Sequence, residues 1–291
     1  MRLALLALSM TLLVSAQRPE EPYIVPLDPV IDATIDGKPV RLRVDPGSPT
    51  MPLLNPEAVA RLGLRAGPQA GTGIVGSLRF TGRTGVARLR LPGDRRPRKT
   101  RVIWFDRPNA AGVDGEINPT LLPYQRVRFL RPGRGGVLRS LPYQDTGNRS
   151  LGIRLTLAGE RVDVSFGLGR NGGSATTDAG RLLPIAHGGS LEPGVQGEME
   201  VGLGVRRPFR ELRLERPIQV GPFALSRIRV RTAMAAALGL SEPGADPDEV
   251  VVTASNRAPN REIRIKADEL DRCAWVEVDR RAGRITFNCP D

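Results

Sequence analysis

Val40-Arg41-Leu42-Arg43-Val44-Asp45-Pro46-Gly47-Ser48 is an alternating stretch that runs straight into an Asp-Pro-Gly-Ser loop. Alternation over five residues predicts a half-buried strand. A second alternating run, Ile31 to Ile35, precedes it across Asp36-Gly37-Lys38, which reads as a hairpin turn. Downstream, Asn55 is a good N-cap, Pro56 suits the first helical position and Gly63 suits the stop, so a short helix is predicted between them. The order strand, turn, strand, loop, helix returns between Leu151 and Leu183. There Ala158-Gly159-Glu160 makes the turn, and Val162-Asp163-Val164-Ser165-Phe166 leads into Gly167-Leu168-Gly169. Hairpin glycine to loop is eight residues in both copies, so Asp45 corresponds to Gly167.

Outside the repeat, alternating runs predict strands at Val86 to Leu91, Arg101 to Phe105, Leu212 to Leu214, Ile218 to Val220, Ile228 to Val230, Val250 to Thr253 and Ile263 to Ile265. A second short helix is expected from Ala175 to Leu183. With 26 prolines and 33 glycines and no long apolar helix pattern, the chain reads as all-β, with many short elements.

These pieces, in this order, resemble the aspartic peptidases, specifically bacterial two-lobed relatives of the retropepsin and pepsin type. The resemblance covers Asp28 to the end. It rests on Val40 to Ser48, Leu62-Gly63-Leu64, Val113 to Pro119 as a crossing strand, and a second crossing strand at Ile263 to Leu270 followed by Trp275 to Asp279. It implies a two-lobed β-barrel pseudo-dimer with a few short helices: an N-terminal lobe over 17–130, a linker over 131–150 and a C-terminal lobe over 151–291. It also implies a catalytic Asp45 supported by Pro46, Gly47 and Ser48, and a hairpin flap from Gly71 to Gly85 over an inter-lobe cleft.

The departures fall on the positions that the resemblance makes functional. Gly167, with Gly169, leaves the second-lobe site without its carboxylate. Pro46 stands for a threonine, removing a hydroxyl and an N–H and confining Asp45 to extended backbone. Asn118 and Lys266 replace glycine on the crossing strands, so a remodelled platform is expected in both lobes. Aspartic chemistry needs two carboxylates sharing a proton, one to take a proton from water while the other donates. The expected function is therefore an impaired peptidase homologue that binds extended peptides in the cleft. The enzymatic alternative pairs Asp45 with an unrecognised carboxylate, Asp163 or Asp178. The third reading is an envelope protein that works through its basic surface.

Arg2, the apolar run Leu3 to Val14 and the small pair Ser15-Ala16 have the form of a secretory signal over residues 1–16, which predicts a periplasmic or secreted protein. No later segment is apolar enough to span a membrane, so none is expected in the mature chain. The net charge of +12 is nearly all arginine, with clusters at Arg95-Arg96-Pro97-Arg98-Lys99 and Arg206-Arg207-Pro208-Phe209-Arg210. Export turns that charge toward envelope components, and no nucleic acid partner is expected. Cys273 and Cys289 are the only cysteines, and an oxidising compartment predicts a disulfide across two strands folded back on each other. Neither metal nor cofactor spacing is present. His187, the single histidine, reads as a loop residue, and Gly71-Thr72-Gly73-Ile74-Val75-Gly76 fits a dinucleotide loop in letters only, without the strand before and helix after.

Overall fold

A computed structural model describes residues 21–75, 78–145, 151–168, 173–232, 261–265 and 267–291. Strand makes up 54% and helix 11%, which places the chain among all-β folds. The first sheet runs in the order Val30–Ile35, Lys38–Val44, Gly115–Ile117, Leu53–Leu54, Arg98–Trp104, Leu78–Arg90, Ala70–Val75. Pairing of Thr34 with Arg90 and Ile35 with Leu89 brings the sixth strand back to the first, closing a six-stranded barrel.

The second sheet repeats those seven places element for element: Leu151–Leu157, Glu160–Phe166, Glu262–Ile265, Ser174–Ala175, Phe223–Arg231, Val205–Val220, Gly197–Gly202. Gln144–Asp145 is added at one edge, and Ser190–Leu191 pairs with Val205–Val220. The predicted turns repeat to within a degree: φ is 49° at Asp36 and at Ala158, then 80° at Gly37 and 81° at Gly159. Left-handed backbone at both central residues is the turn that matches strand twist, and glycine takes it without strain. The crossings repeat too, since Asp45 N donates to Ile117 O and Gly167 N to Ile265 O.

A third, five-stranded sheet joins these two, in the order Tyr23–Val25, Arg126–Leu130, Trp275–Asp279, Arg284–Cys289, Val137–Pro142. The Cys273–Cys289 disulfide is formed, and the hairpin it braces belongs to this sheet rather than to the second sheet. The stretch 131–150, read as a linker, contributes Val137–Pro142 as an edge strand along Arg284–Cys289. One apolar core runs through all three sheets, with Phe287 of the third packed against Phe166 and Phe223 of the second.

The first helix is Pro56–Leu62, ending at Gly63 with φ 72°. The second is Thr177–His187, capped by the Thr176 hydroxyl, so it starts later and runs further than Ala175 to Leu183. Pro184 is tolerated inside it, and His187 is its last residue rather than part of a loop. Residues 1–16 and Val250 to Thr253 lie outside the described residues, among which no helix is long and apolar enough to cross a membrane.

Candidate functional site

Asp45 leaves the strand Lys38–Val44 at its C-terminal end and is 4% exposed. Its Oδ1 accepts from Gly47 N at 2.8 Å and, across the pseudo-symmetric junction, from Leu168 N at 3.2 Å. Gly47 comes so near the second loop that a Cβ there would lie 3.2 Å from Phe166 O and 3.5 Å from the Cα of Gly167. Pro46 lacks an N–H, but its carbonyl accepts from Leu151 N at 3.0 Å and so ties the loop to the second repeat. Asn118, expected as an intrusion, is the loop's brace: its Nδ2 donates to Ser48 O at 2.8 Å and Pro46 O at 3.3 Å. Its Oδ1 takes Thr120 N and Oγ1, leaving the fully buried side chain satisfied at both ends.

Two charged residues that the motif reading passed over complete the site. Glu116 is 3% exposed, and its Oε2 accepts from Ser48 Oγ at 3.0 Å and Asn109 Nδ2 at 2.5 Å. Its topological counterpart is Arg264, because Leu53 pairs with Glu116 in the first sheet as Ser174 pairs with Arg264 in the second. Arg264 donates to Glu262 Oε1 at 3.2 Å, and Ser165 Oγ donates to the same oxygen at 2.6 Å. Burial works against the Arg264 charge, but Glu262, Asp45 and Glu116 outweigh it and hold the guanidinium above its ordinary pKa. At Glu262 burial pushes the carboxyl upward, yet Arg264, Arg231 and the Ser165 hydroxyl bring it below the usual value.

Asp45, Gly47, Ser48, Glu116, Gly167 and Arg264 line a small, partly open void of about 10 Å³. That is the lower limit for one water molecule and leaves no room for a peptide. The Arg264 chain runs beside Gly167, its Cδ 3.6 Å from where a Cβ would be, an ordinary van der Waals distance. The structure thus gathers Asp45, Pro46, Gly47, Ser48 and Gly167 at one junction. Gly169 and Lys266 lie outside the described residues.

Asp163 and Asp178 are not at this void. Asp163 bonds Arg154 at 2.8 Å, and Asp178 faces Arg181 at 3.5 Å. The flap expected at Gly71 to Gly85 is a hairpin with Gly71 opposite Gly82 and Gly73 opposite Phe80, so Gly71 to Val75 of the glycine motif lie in a strand, and Gly76 is outside the described residues. The arginine clusters are partly neutralised, Arg98 by Asp94 at 3.1 Å and Arg206 by Glu198 at 3.4 Å. Sequence could have pointed to Glu116 and Arg264: each is a charge inside a short apolar crossing strand, at matched register. No protein-family model matches this chain, and no curated protein matches it.

Proposed function

We propose that this chain is an exported, two-lobed aspartic-peptidase-like protein whose catalytic centre has become an internal ion network. What carries the reading is Arg264, which stands beside Gly167 where a second carboxylate would be needed. Peptide hydrolysis by the paired-aspartate route requires a base for water and an acid for the carbonyl oxygen, each contributing typically about 10²–10⁴-fold. A guanidinium holds its protons throughout the working range and cannot share one with Asp45. The seven-place repeat, the two matched crossings and the Asp45 loop favour the peptidase-like architecture. Binding of an extended peptide between the lobes, through backbone hydrogen bonds to strand edges and flap, needs no catalytic acid.

Glu116 favours one enzymatic reading, since it is a second carboxylate on the same void as Asp45. In that reading the two acids would be Asp45 and Glu116, not Asp163 or Asp178. Incubating wild type, Asp45→Asn and Glu116→Gln with a diverse peptide mixture from acidic to neutral pH separates the two, with a pepsin-type inhibitor as control. We expect no inhibitor-sensitive cleavage in any of them. Cleavage by wild type that both substitutions abolish would overturn the inert reading and establish the Asp45–Glu116 pair.

A further inference from the structure

Many arginines of this chain have an acid partner: Arg43 has Glu116, Arg61 has Asp114, Arg126 and Arg128 share Glu277, and Arg154 has Asp163. The antiparallel ladder between Leu78–Arg90 and Arg98–Trp104 is different. Ala87, Leu89 and Val102 belong to the main core, so the alternate residues Val86, Arg88, Arg90, Lys99 and Arg101 cover the outer wall of the barrel, and all five are exposed. In register, Arg88 stands directly opposite Lys99, and Val86 opposite Arg101. Side chains so paired have Cβ atoms about 4.5–5.5 Å apart, and like charges at that separation are destabilising. For stability alone, an acid at position 88 or 99 would serve better.

The acids that chain and register bring nearest are committed elsewhere. Asp36 bonds the Arg88 backbone twice: its N donates to Arg88 O at 2.9 Å, and its Oδ1 accepts from Arg88 N at 2.8 Å. Asp94, in the turn after Arg90, accepts from Leu91 N at 2.9 Å and holds Arg98 at 3.1 Å. Asp106 faces Arg83 at 3.7 Å. Among the described residues, Arg88, Arg90, Lys99 and Arg101 make no ion pair, and exposed Arg95 and Arg96 carry the positive charge on over the connecting turn. Another like-charged cross-strand pair, Arg213 opposite Arg227, is relieved by Glu192, 3.4 Å from Arg213. The outer wall of the first barrel has no such relief.

We infer that this wall is a docking surface for an anionic lipid bilayer, with Arg88, Lys99 and Arg101 at its centre and Arg90, Arg95 and Arg96 extending it toward the turn. Charge complementarity calls for an anionic partner, and Val86 separates a bilayer from a dissolved polymer. It is 64% exposed among the cations, and the headgroup boundary takes an apolar side chain together with its charged neighbours, whereas a solvated polyanion offers it nothing. The outside of a closed barrel is also convex, which suits contact with a surface rather than enclosure of a strand. The wall shares no residue with the Asp45 junction, and the inference does not rest on the peptide reading. Each cation near an anionic membrane strengthens attachment roughly fivefold, and the attraction fades beyond a Debye length of about 10 Å at 0.1 M salt.

The test sediments the form purified after export with vesicles of phosphatidylglycerol and phosphatidylcholine in equal parts, and with vesicles of phosphatidylcholine alone. Wild type should bind the anionic vesicles only, and should leave them as salt rises to about 1 M, where the Debye length is about 3 Å. Arg88→Gln with Lys99→Gln should weaken binding about 25-fold, while Tm stays level or rises because an opposed pair has been removed. Arg101→Gln alone should weaken it about fivefold. Arg139→Gln with Arg206→Gln removes the same net charge outside the wall, where screening limits the change to less than about threefold. Attachment that survives high salt, that is as strong on neutral vesicles, or that falls equally in the two double variants overturns the docking surface. Failure of wild type to bind anionic vesicles overturns it as well, and retention on heparin in that case would make the partner a soluble polyanion.

Discussion

Replacing Arg264 with methionine keeps an unbranched apolar stem in its place and removes a cation that acts on Glu262, Asp45 and Glu116. The side chain is 15% exposed and its partner Glu262 5%, so little water is available to replace the lost charge. Removing one member of a buried pair costs about 3–5 kcal/mol, because the remaining charge stays desolvated. For a chain of this size that corresponds to a fall in Tm of roughly 6–20 °C. The pH dependence should change sign as well. In Arg264→Met, burial and mutual repulsion raise the carboxyl pKa values in the folded state above their unfolded values. The folded protein then binds more protons than the unfolded one, and stability rises as pH falls toward about 4.5. Melting curves of wild type and Arg264→Met between pH 4.5 and 8 test this. A Tm change within about 3 °C, near 1 kcal/mol, together with parallel pH profiles, would mean that Arg264 is not the counter-charge of the site.

In wild type, Glu262 has a lowered folded pKa, so its contribution is fully present above the unfolded value of 4.5 and is lost as pH falls through the folded one. Urea unfolding below pH 4.5 should show a steep acid loss in wild type and a flatter one in Glu262→Gln. Asn118→Ala removes the side-chain partner of the Ser48 carbonyl and of Thr120, leaves the Pro46 carbonyl with Leu151 N, and should lower unfolding free energy by about 1–3 kcal/mol in the same assay. Reduction of Cys273–Cys289, with a separation of 16 residues, should remove about 3 kcal/mol, read as a lower urea midpoint with reductant present.

The parts of the fold that could be read in the sequence are those decided within a few residues. Asp36-Gly37 and Ala158-Gly159 announce their turns because left-handed backbone at a two-residue loop restricts composition. Pro56 and Gly63 mark their helix because each has a conformational preference of its own. Asn55 shows the limit of this reading. It holds the cap position, but its side chain makes no cap hydrogen bond and instead joins the Ala110 and Val113 carbonyls and the Asn109 and Ala110 amides. Val137–Pro142 lies in a stretch rich in glycine and arginine, and it becomes a strand only because Arg284–Cys289, more than a hundred residues later, offers it an edge. Nothing local encodes that pairing.

The charged centre was hidden for a related reason. Searching the acids near Gly167 leads to Asp163 and Asp178, which have arginine partners of their own. The relevant comparison is between crossing strands, and it requires their register. Once Gly115-Glu116-Ile117 is set beside Ile263-Arg264-Ile265, the two repeats differ at one position by a full reversal of charge. In a pseudo-two-fold arrangement, equivalent positions face one another across the axis, so identical acids there repel unless they share a proton. Opposite charges attract without one. Gly167 lies against the Arg264 stem, whose Cδ would be 3.6 Å from a Cβ there. An acid and a guanidinium at these matched places hold their charges without a shared proton, because arginine stays ionised throughout the working pH range.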